Sequence, residues 1–470
     1  MKLVLCVHGY PPELVGGTEV SAQALAQGLA RAGHQVLVVA GSWQAAKAGQ
    51  VAIRPEVHQI PGAGSLRVER WTRPDLHFDH WHKTKSARVG ARFRELLQRE
   101  KPDLVHVLHW LRLTRDLVQI AAEERIPAVI SLGDSWVSCP LTFRVKPDSQ
   151  VPCEEALSAM TCISCAAKVL PRTPWVSMEA GFMEFANRGM ALTKELQLAQ
   201  ACLVPSQSFA DRQQQGLGPA VQMRAKLQAP CGVEDSFAAQ RKPLPVAPLP
   251  LRLGSWGQLS QLKGSDLLFE AIAGLESPGS VRLELAGGEQ TEGYVQSLQA
   301  QYPSVQATYH GPYEVAELPT HAVTAVHAML SASRAPESFG IVLEEARALG
   351  LPSVLPNLGA FRERAGESLG SLMFDVGDAL SLRKAIERLL AEKQLLSTLR
   401  DSLPPAIRQL DVLEQHCAHY ERVLAEGQVP EVPAHEWYTD RMALFAEEEW
   451  DRSLACATQA ELELDTPTDG

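Results

Sequence analysis

The chain has 470 residues, 45% of them apolar and 21% charged, enough for more than one hydrophobic core, because single cores stop growing near roughly 250 to 300 residues. Its formal charge of -11 is concentrated at one end: residues 431–470 hold eleven Asp or Glu against two Arg, a net of -9, which leaves -2 on the first 430 residues. A body so close to neutral lacks the clustered positive charge that neutralises phosphates, and this argues against nonspecific nucleic-acid binding.

Residues 3–8 (LVLCVH) form an apolar run suited to a buried strand, with no charged leader or small-residue cleavage site. Nowhere does the chain contain an uncharged apolar run of the roughly 18 residues needed to span a bilayer, so any membrane contact would be peripheral, at the inner face. A cytoplasmic location is expected. In that compartment the nine cysteines read as thiols or metal ligands rather than as disulfides.

A glycine-containing loop, GYPPELVGGTE, follows the first strand; Val20, Ala24, Leu25 and Leu29 then recur at helical spacing, Gly33 is placed to stop the helix, and residues 35–40 supply a second strand. This is a βαβ unit. Such units build a parallel, doubly wound sheet whose ligands lie beyond the C-terminal strand ends. Further strands are predicted at 104–108 and 128–132, each introduced by a proline. The segment 135–168 lacks periodicity, carries four cysteines, and reads as an excursion from the first domain. A helical stretch near 175–198 leads to a strand at 202–206. Closely spaced prolines in RKPLPVAPLP (241–250) support neither helix nor central strand and mark a linker. The alternation then restarts, with LRLGSWG and VRLELAGG as strands and 265–275 as a helix. The predicted organisation is an α/β chain with two facing Rossmann-like domains, 1–240 and 251–410, then a helix at 411–430 and an acidic tail at 431–470.

The most informative stretch is PESFGIVLEEARALGLP (336–352). Ser338 is placed to cap a helix whose first turn contains Phe339 and Gly340, with Gly350 and Pro352 ending it. Val342, Leu343, Ala346 and Leu349 share its buried face, Glu345 sits at the border of that face, and Glu344 points away. Glu337 lies just before the helix, where free amides and the positive dipole end are exposed. Two carboxylates so spaced can accept hydrogen bonds from hydroxyls while the amides face a phosphate, and a sugar nucleotide has both groups. From periodicity alone, an ordinary amphipathic helix with one partly buried Glu is the favoured reading of this segment.

At this point the sequence resembles the retaining GT-B glycosyltransferases of family GT4, also called glycosyltransferase group 1, whose signature is Glu, seven residues, Glu. The resemblance runs through PPELVGGTE at 11–19, PDLVHV at 102–107, GDSWVSCP at 133–140, VPSQSF at 204–209, CGVEDSF at 231–237, GQLSQLKG at 257–264, the 337–352 stretch and LGAFRE at 358–363. It implies a GT-B fold and transfer of a sugar from a nucleotide-diphosphate sugar to a saccharide or lipid-linked acceptor in glycan biosynthesis. It also implies roles. Glu345 would accept hydrogen bonds from the ribose and Glu337 would orient donor-sugar hydroxyls. The amides of Ser338, Phe339 and Gly340 would hold the diphosphate, Lys263 would neutralise it, and Gly16 and Gly17 would let the first-domain loop approach closely. No cofactor is required for such catalysis, and the absence of an Asp-x-Asp pair fits a metal-independent reaction.

Two positions depart from the family pattern. Gln258 stands where many relatives have Arg, removing a cation that helix amides or another Arg such as Arg334 could replace, and Gly133 stands where they often have His before Asp134. Asp134 is the candidate to supply the missing polar group, with His109 a further one. These departures keep a noncatalytic sugar-nucleotide-binding protein as the alternative; a nicotinamide-dependent oxidoreductase lacks support because the first loop is not Gly-x-Gly-x-x-Gly. Cys139, Cys153, Cys162 and Cys165 could hold a structural zinc tetrahedrally or remain unligated thiols, and their spacing leaves both open.

Overall fold

A computed structural model describes residues 1–44, 50–60, 62, 64–73, 85–162, 165, 178–219, 221–234, 237 and 250–432; most of the expected linker and the acidic segment from 433 lie outside the described residues. Two separate sheets carry the fold. The first has eight strands in the order β3-β4-β2-β1-β5-β6-β7-β8. These are β1 (Lys2–Val7), β2 (Gln35–Gly41), β3 (Ala52–Ile60), β4 (Gly64–Thr72), β5 (Leu104–Val107), β6 (Ala128–Ser131), β7 (Ala201–Val204) and β8 (Ala225–Leu227). All pairs are parallel except the β3–β4 hairpin at one edge, which the sequence reading passed over. The helices α1 (Gly17–Arg31), α2 (Ala87–Glu100), α3 (Leu117–Glu123), α4 (Met178–Leu198) and α5 (Gln207–Leu217) belong to this lobe.

Strand β1 runs beside β2 from Lys2 opposite Gln35 to Val7 opposite Ala40, and beside β5 from Leu3 opposite Leu104 to Cys6 opposite Val107. Its residues 3–7 are fully buried, as expected of a central parallel strand covered on both faces. Strand order reverses direction between β1 and β5, which places the first switch point beyond Val7 and Val107.

The second sheet is wholly parallel, in the order β11-β10-β9-β12-β13-β14. Its elements alternate along the chain: β9 (Leu251–Trp256), α6 (Ser265–Ala273), β10 (Val281–Ala286), α7 (Tyr294–Gln301), β11 (Gln306–Tyr309), β12 (Ala328–Leu330), α8 (Ile341–Leu349), β13 (Ser353–Pro356), α9 (Gly359–Arg364), β14 (Ser371–Phe374), α10 (Ala379–Ala391) and α11 (Leu395–Asp401). The reversal falls between β9 and β12, so Trp256 and the loop after Leu330 meet at the second switch point.

The last helix, α12 (Gln409–Glu426), returns to the first lobe, where Leu413, Tyr420 and Val423 share a core with Leu25, Leu29, Val36 and Val38. The two interlobe crossings touch: Val233 N–H donates to the Ile407 carbonyl at 2.8 Å, and Gln409 N–H to the Val233 carbonyl at 2.9 Å. Beneath α12, His106 uses both ring nitrogens, on the Tyr420 hydroxyl at 2.7 Å and the Ser131 hydroxyl at 2.8 Å. The neighbouring ring of His416 is buried, and neither of its nitrogens has a hydrogen-bond partner among the described residues.

Burial lowers His416 from 6.5 to about 3, so the folded protein holds it neutral. The unfolded chain takes up a proton near pH 6.5, whereas the folded one does so only near pH 3. Its contribution to stability is therefore complete above pH 6.5 and is lost as pH falls through that window toward 3. We expect His416→Phe to raise Tm at pH 5 more than at pH 7, by a few degrees, since the ring leaves no partner behind. Calorimetry at the two pH values checks this; an equal shift at both would place the acid sensitivity elsewhere.

Candidate functional site

Helix α8 organises the second lobe's share of the site. The polar loop after β12 reaches Gly340, which caps the helix at φ 81° with no side-chain capping bond. A Cβ at 340 would lie 2.4 Å from the Phe361 ring, so both the left-handed backbone and the contact demand glycine. Ser338, predicted as the cap, is not the cap; its carbonyl instead accepts the Ser206 hydroxyl of the first lobe at 2.8 Å. Phe339 is buried, with the Arg364 guanidinium 3.7 Å from its ring centroid, and its carbonyl also accepts from Arg364. The free amides at the start of α8 are thus framed by fixed groups.

In front of that amide end Lys263 Nζ lies 2.6 Å from Glu337 Oε1, with about a fifth of the Glu337 side chain and a third of the Lys263 side chain exposed. Two residues singled out independently in the sequence, 74 apart, are in contact. Gln258 is exposed. Arg334 does not replace the missing cation, because its guanidinium is committed to Asp266 by two bonds of 2.7 and 2.9 Å.

Glu345 is 4% exposed and accepts Trp256 Nε1–H at 2.8 Å through Oε2; its other oxygen makes no hydrogen bond to the described residues. Burial pushes its carboxyl up to about 7, against the opposing effect of the Trp256 N–H. The Tyr313 hydroxyl feels that carboxylate and is itself held well above its ordinary value, chiefly by burial. Glu344, by contrast, corrects the helical-wheel expectation. It is buried, not outward, and its carboxylate takes Arg347 at 2.7 Å, Arg364, and the Ile407 amide at 2.8 Å. A wheel drawn for one helix cannot anticipate that the chain entering α12 will cover the outer face.

In the first lobe Gly17 is the exposed first residue of α1, and a Cβ there would lie 3.7 Å from Ile341, the first residue of α8. The start of α1 therefore lies close to the first side chain of α8 across the lobes. Gly16 has an extended backbone (φ -156°) that any residue adopts; its hydrogen matters because a Cβ would sit 2.7 Å from Glu19 Oε2. Glu19 turns inward to His8 Nε2 at 2.7 Å, the His8 and His109 rings lie 4.2 Å apart between centroids, and His109 Nε2 is 3.3 Å from Asp134 Oδ2. His109 Nδ1 accepts the Leu111 amide at 3.0 Å, so its proton resides on Nε2 and points at Asp134. Asp134 also accepts the Trp136 amide at 2.9 Å, and His109 with that amide holds its carboxyl below the usual value against burial.

Asp134 and His109 were both candidates, and the structure joins them. His8 and Glu19 were missed as functional residues. The signal was available, since His8 follows the first buried strand directly and Glu19 closes the loop after it, at the end of a parallel sheet where ligands bind. Gly133 leaves only Thr18 Oγ1 within contact of a built Cβ, at 3.1 Å.

The cysteines of the excursion border the first-lobe part of the site, since Arg188 feels the Asp134 charge together with Cys139 and Cys162. Cys139 is raised by burial, Cys139 and Cys162 act on Arg188, and Cys153 acts on Arg212. Among the described residues no three His, Cys, Asp or Glu side chains converge as metal ligands, and no disulfide forms.

Residues 15–224 match the family described as Glycosyltransferase Family 4, and residues 250–392 match Glycosyl transferases group 1. A D-inositol 3-phosphate glycosyltransferase of Geodermatophilus obscurus is 28% identical over 204 residues, 37% of this chain and 42% of that one. The chain spans less than half the length of the curated relatives it matches. Sucrose-phosphate synthase of Thermosynechococcus elongatus superposes with a TM-score of 0.63 at 16% identity, over 91% of this chain and all of that one. Anabaena HepE in complex with UDP gives 0.58 at 16%, over 90% of this chain and all of that one. At these identities the two structures show a common fold, the two-lobed GT-B arrangement.

Glu344 anchors two arginines that are themselves largely buried. Glu344→Ala should lower unfolding free energy by roughly 3 to 5 kcal/mol, because both guanidinium groups lose their counter-charge. Urea denaturation measures it; a loss under about 1 kcal/mol would mean that water enters and replaces the carboxylate.

Proposed function

We propose that this chain, which belongs to the family 4, group 1 glycosyltransferases, transfers a sugar from a nucleotide-diphosphate sugar to a saccharide or lipid-linked acceptor. One observation carries the reading: the Lys263–Glu337 pair, 2.6 Å apart, stands just before a helix whose first residue, Ile341, lies beside the start of α1. A diphosphate arriving between the helix starts takes Lys263 and the amides near Ser338, Phe339 and Gly340. Glu337, released from Lys263, then receives donor-sugar hydroxyls, while the unused oxygen of Glu345 accepts the ribose diol. Gly16 and Gly17 allow the opposite loop to close on the donor.

The finer chemistry proposed is retention without metal. The bond from the sugar's anomeric carbon to the leaving phosphate oxygen breaks and a bond to the acceptor oxygen forms on the same face. The acceptor's proton passes to the departing phosphate oxygen, so no separate protein base is needed. Lys263 and the helix amides stabilise the charge that grows there. Asp134, oriented by His109, is the first-lobe carboxylate placed to align the reacting hydroxyls. Support for a binding protein without turnover is specific: Gln258 is exposed and Arg334 is committed to Asp266, leaving Lys263 as the side-chain cation of the pair described. Nucleotide release from UDP-glucose, UDP-galactose, ADP-glucose and GDP-mannose separates the two readings. Binding without release on any acceptor favours the second.

Because Glu345 titrates near 7 and the ribose diol needs its ionised form, affinity for a UDP-sugar should rise about tenfold from pH 6 to pH 8 and level off above. Glu345→Gln should weaken binding and abolish that dependence. Its folded carboxyl lies above the unfolded value, so its stability contribution is complete below pH 4.5 and is lost as pH rises through 7. The variant should accordingly unfold no more easily at pH 8. Titration calorimetry with UDP-glucose gives the affinities, and a flat pH profile in the natural protein would remove Glu345 from the ribose.

Structural zinc on Cys139, Cys153, Cys162 and Cys165 is proposed separately, as a clamp on the excursion with no part in transfer; binding would have to draw the four thiols together. Metal analysis with thiol titration decides it. One zinc per chain supports the clamp, and four titratable thiols without zinc end it.

A further inference from the structure

The acceptor's chemistry is written at the cleft end of strand β2. Trp43, two residues past Gly41, is 51% exposed, yet it is built in from behind. The Arg112 guanidinium carbon lies 3.6 Å from the indole centroid, covering one ring face. Arg112 is itself buried, held in a left-handed backbone (φ 62°), and hydrogen bonded to the His8 carbonyl at 3.0 Å. The Trp43 amide donates to Glu13 Oε1 at 2.8 Å, the same oxygen takes the Ser42 hydroxyl at 2.6 Å, and Arg54 holds Oε2 at 2.9 Å. A Cβ at Gly41 would stand 2.6 Å from Arg112 Cβ, so the corner is packed with no slack.

A large aromatic ring kept half in water by so many bonds is a surface waiting for a partner. One side of a pyranose ring presents C–H bonds of partial positive charge, which suit the negative face of indole, while the sugar's hydroxyls reach outward. The surroundings favour such an amphipathic guest. Glu13, Arg112 and the His8 carbonyl form a polar border, and His8 leads through His109 to Asp134. A lipid tail or a membrane surface would face charges here instead of apolar neighbours.

Resting on the transfer reaction proposed above, we propose that Trp43, backed by Arg112, is the acceptor subsite and that the acceptor presents a sugar ring to it. The ring lies on the exposed indole face. Its reacting hydroxyl is directed along the rim toward Asp134 and the donor.

The test uses the full chain with p-nitrophenyl glucosides, galactosides and mannosides as acceptors and the four nucleotide sugars named above as donors. Trp43→Ala should raise acceptor KM about tenfold or more, with donor KM held within about twofold, and Trp43→Tyr should recover most of the loss. Equal acceptor KM in the natural protein and Trp43→Ala overturns the subsite. So does a natural protein that releases nucleotide but accepts none of the glycosides. Trp43→Ala that loses binding to phosphatidylglycerol vesicles while acceptor KM stands makes the ring a membrane anchor and also overturns it. If no nucleotide sugar raises Tm or is turned over, the transfer reading itself fails, a result distinct from these.

Discussion

Two helix starts brought close together across the lobes govern this architecture. Each carries unsatisfied amides and a partial positive charge, and Gly17 brings α1 within a methyl group's reach of Ile341 in α8. Such a meeting is unfavourable unless something negative lies near each end. In the free protein the chain supplies it, with Glu19 folded back against the first turn of α1 and Glu337 just before α8. Both carboxylates have a basic partner, His8 in one case and Lys263 in the other. Each helix start thus carries its own acid–base pair, and on the proposed function an incoming diphosphate would take over part of that role.

The neighbouring pair Glu344 and Glu345 shows how one helix serves two ends. Glu344 is surrounded by Arg347, Arg364 and the Ile407 amide, which tie α8 to α9 and to the chain entering α12. Glu345 has a single indole N–H and an otherwise unmatched burial. A fully satisfied carboxylate stabilises a fold; a half-satisfied one is a liability that only a ligand relieves. The contrast marks Glu344 as the structural group, and on the proposed function it is Glu345 that the ribose hydroxyls would satisfy.

Much of this was legible in the sequence because its signals are local. The strand–loop–helix rhythm at both ends, the stop at Gly33 and the Glu337–Glu345 helix depend on near neighbours, and they reappear in β1, α1 and α8. What escaped depends on distant chain. Ser338 looks like a cap until Gly340 is seen against the Phe361 ring, and Glu344 looks outward until residues near 407 cover it. Strand β3, with an alternation of exposed and partly buried positions, sits at an edge where no core imposes a strong pattern. Arg334 was a reasonable spare cation, but Asp266 lies on the adjacent helix and the sequence gives no hint of that distance.

The first lobe's residues follow a different logic. Trp43, His8, His109 and Asp134 come from the ends of β2, β1, β5 and β6, so the chain order scatters what the sheet order gathers. Crossing the rim from β2 to β6, the groups change from an aromatic face, through two adjacent tilted imidazoles, to a carboxylate. On the proposed function the second lobe would grip its ligand with one helix end and a few charges, which suits a group common to all nucleotide sugars. The first lobe offers a graded strip assembled from four loops, and each loop can vary without disturbing the strand beneath it. On such a division, a change of acceptor needs new loop residues only, while the sheets and α8 stay fixed. That separation also accounts for the departure at Gly133. His109, arriving from β5, already points its proton at Asp134, so an imidazole in the neighbouring position would duplicate a contact that the rim provides.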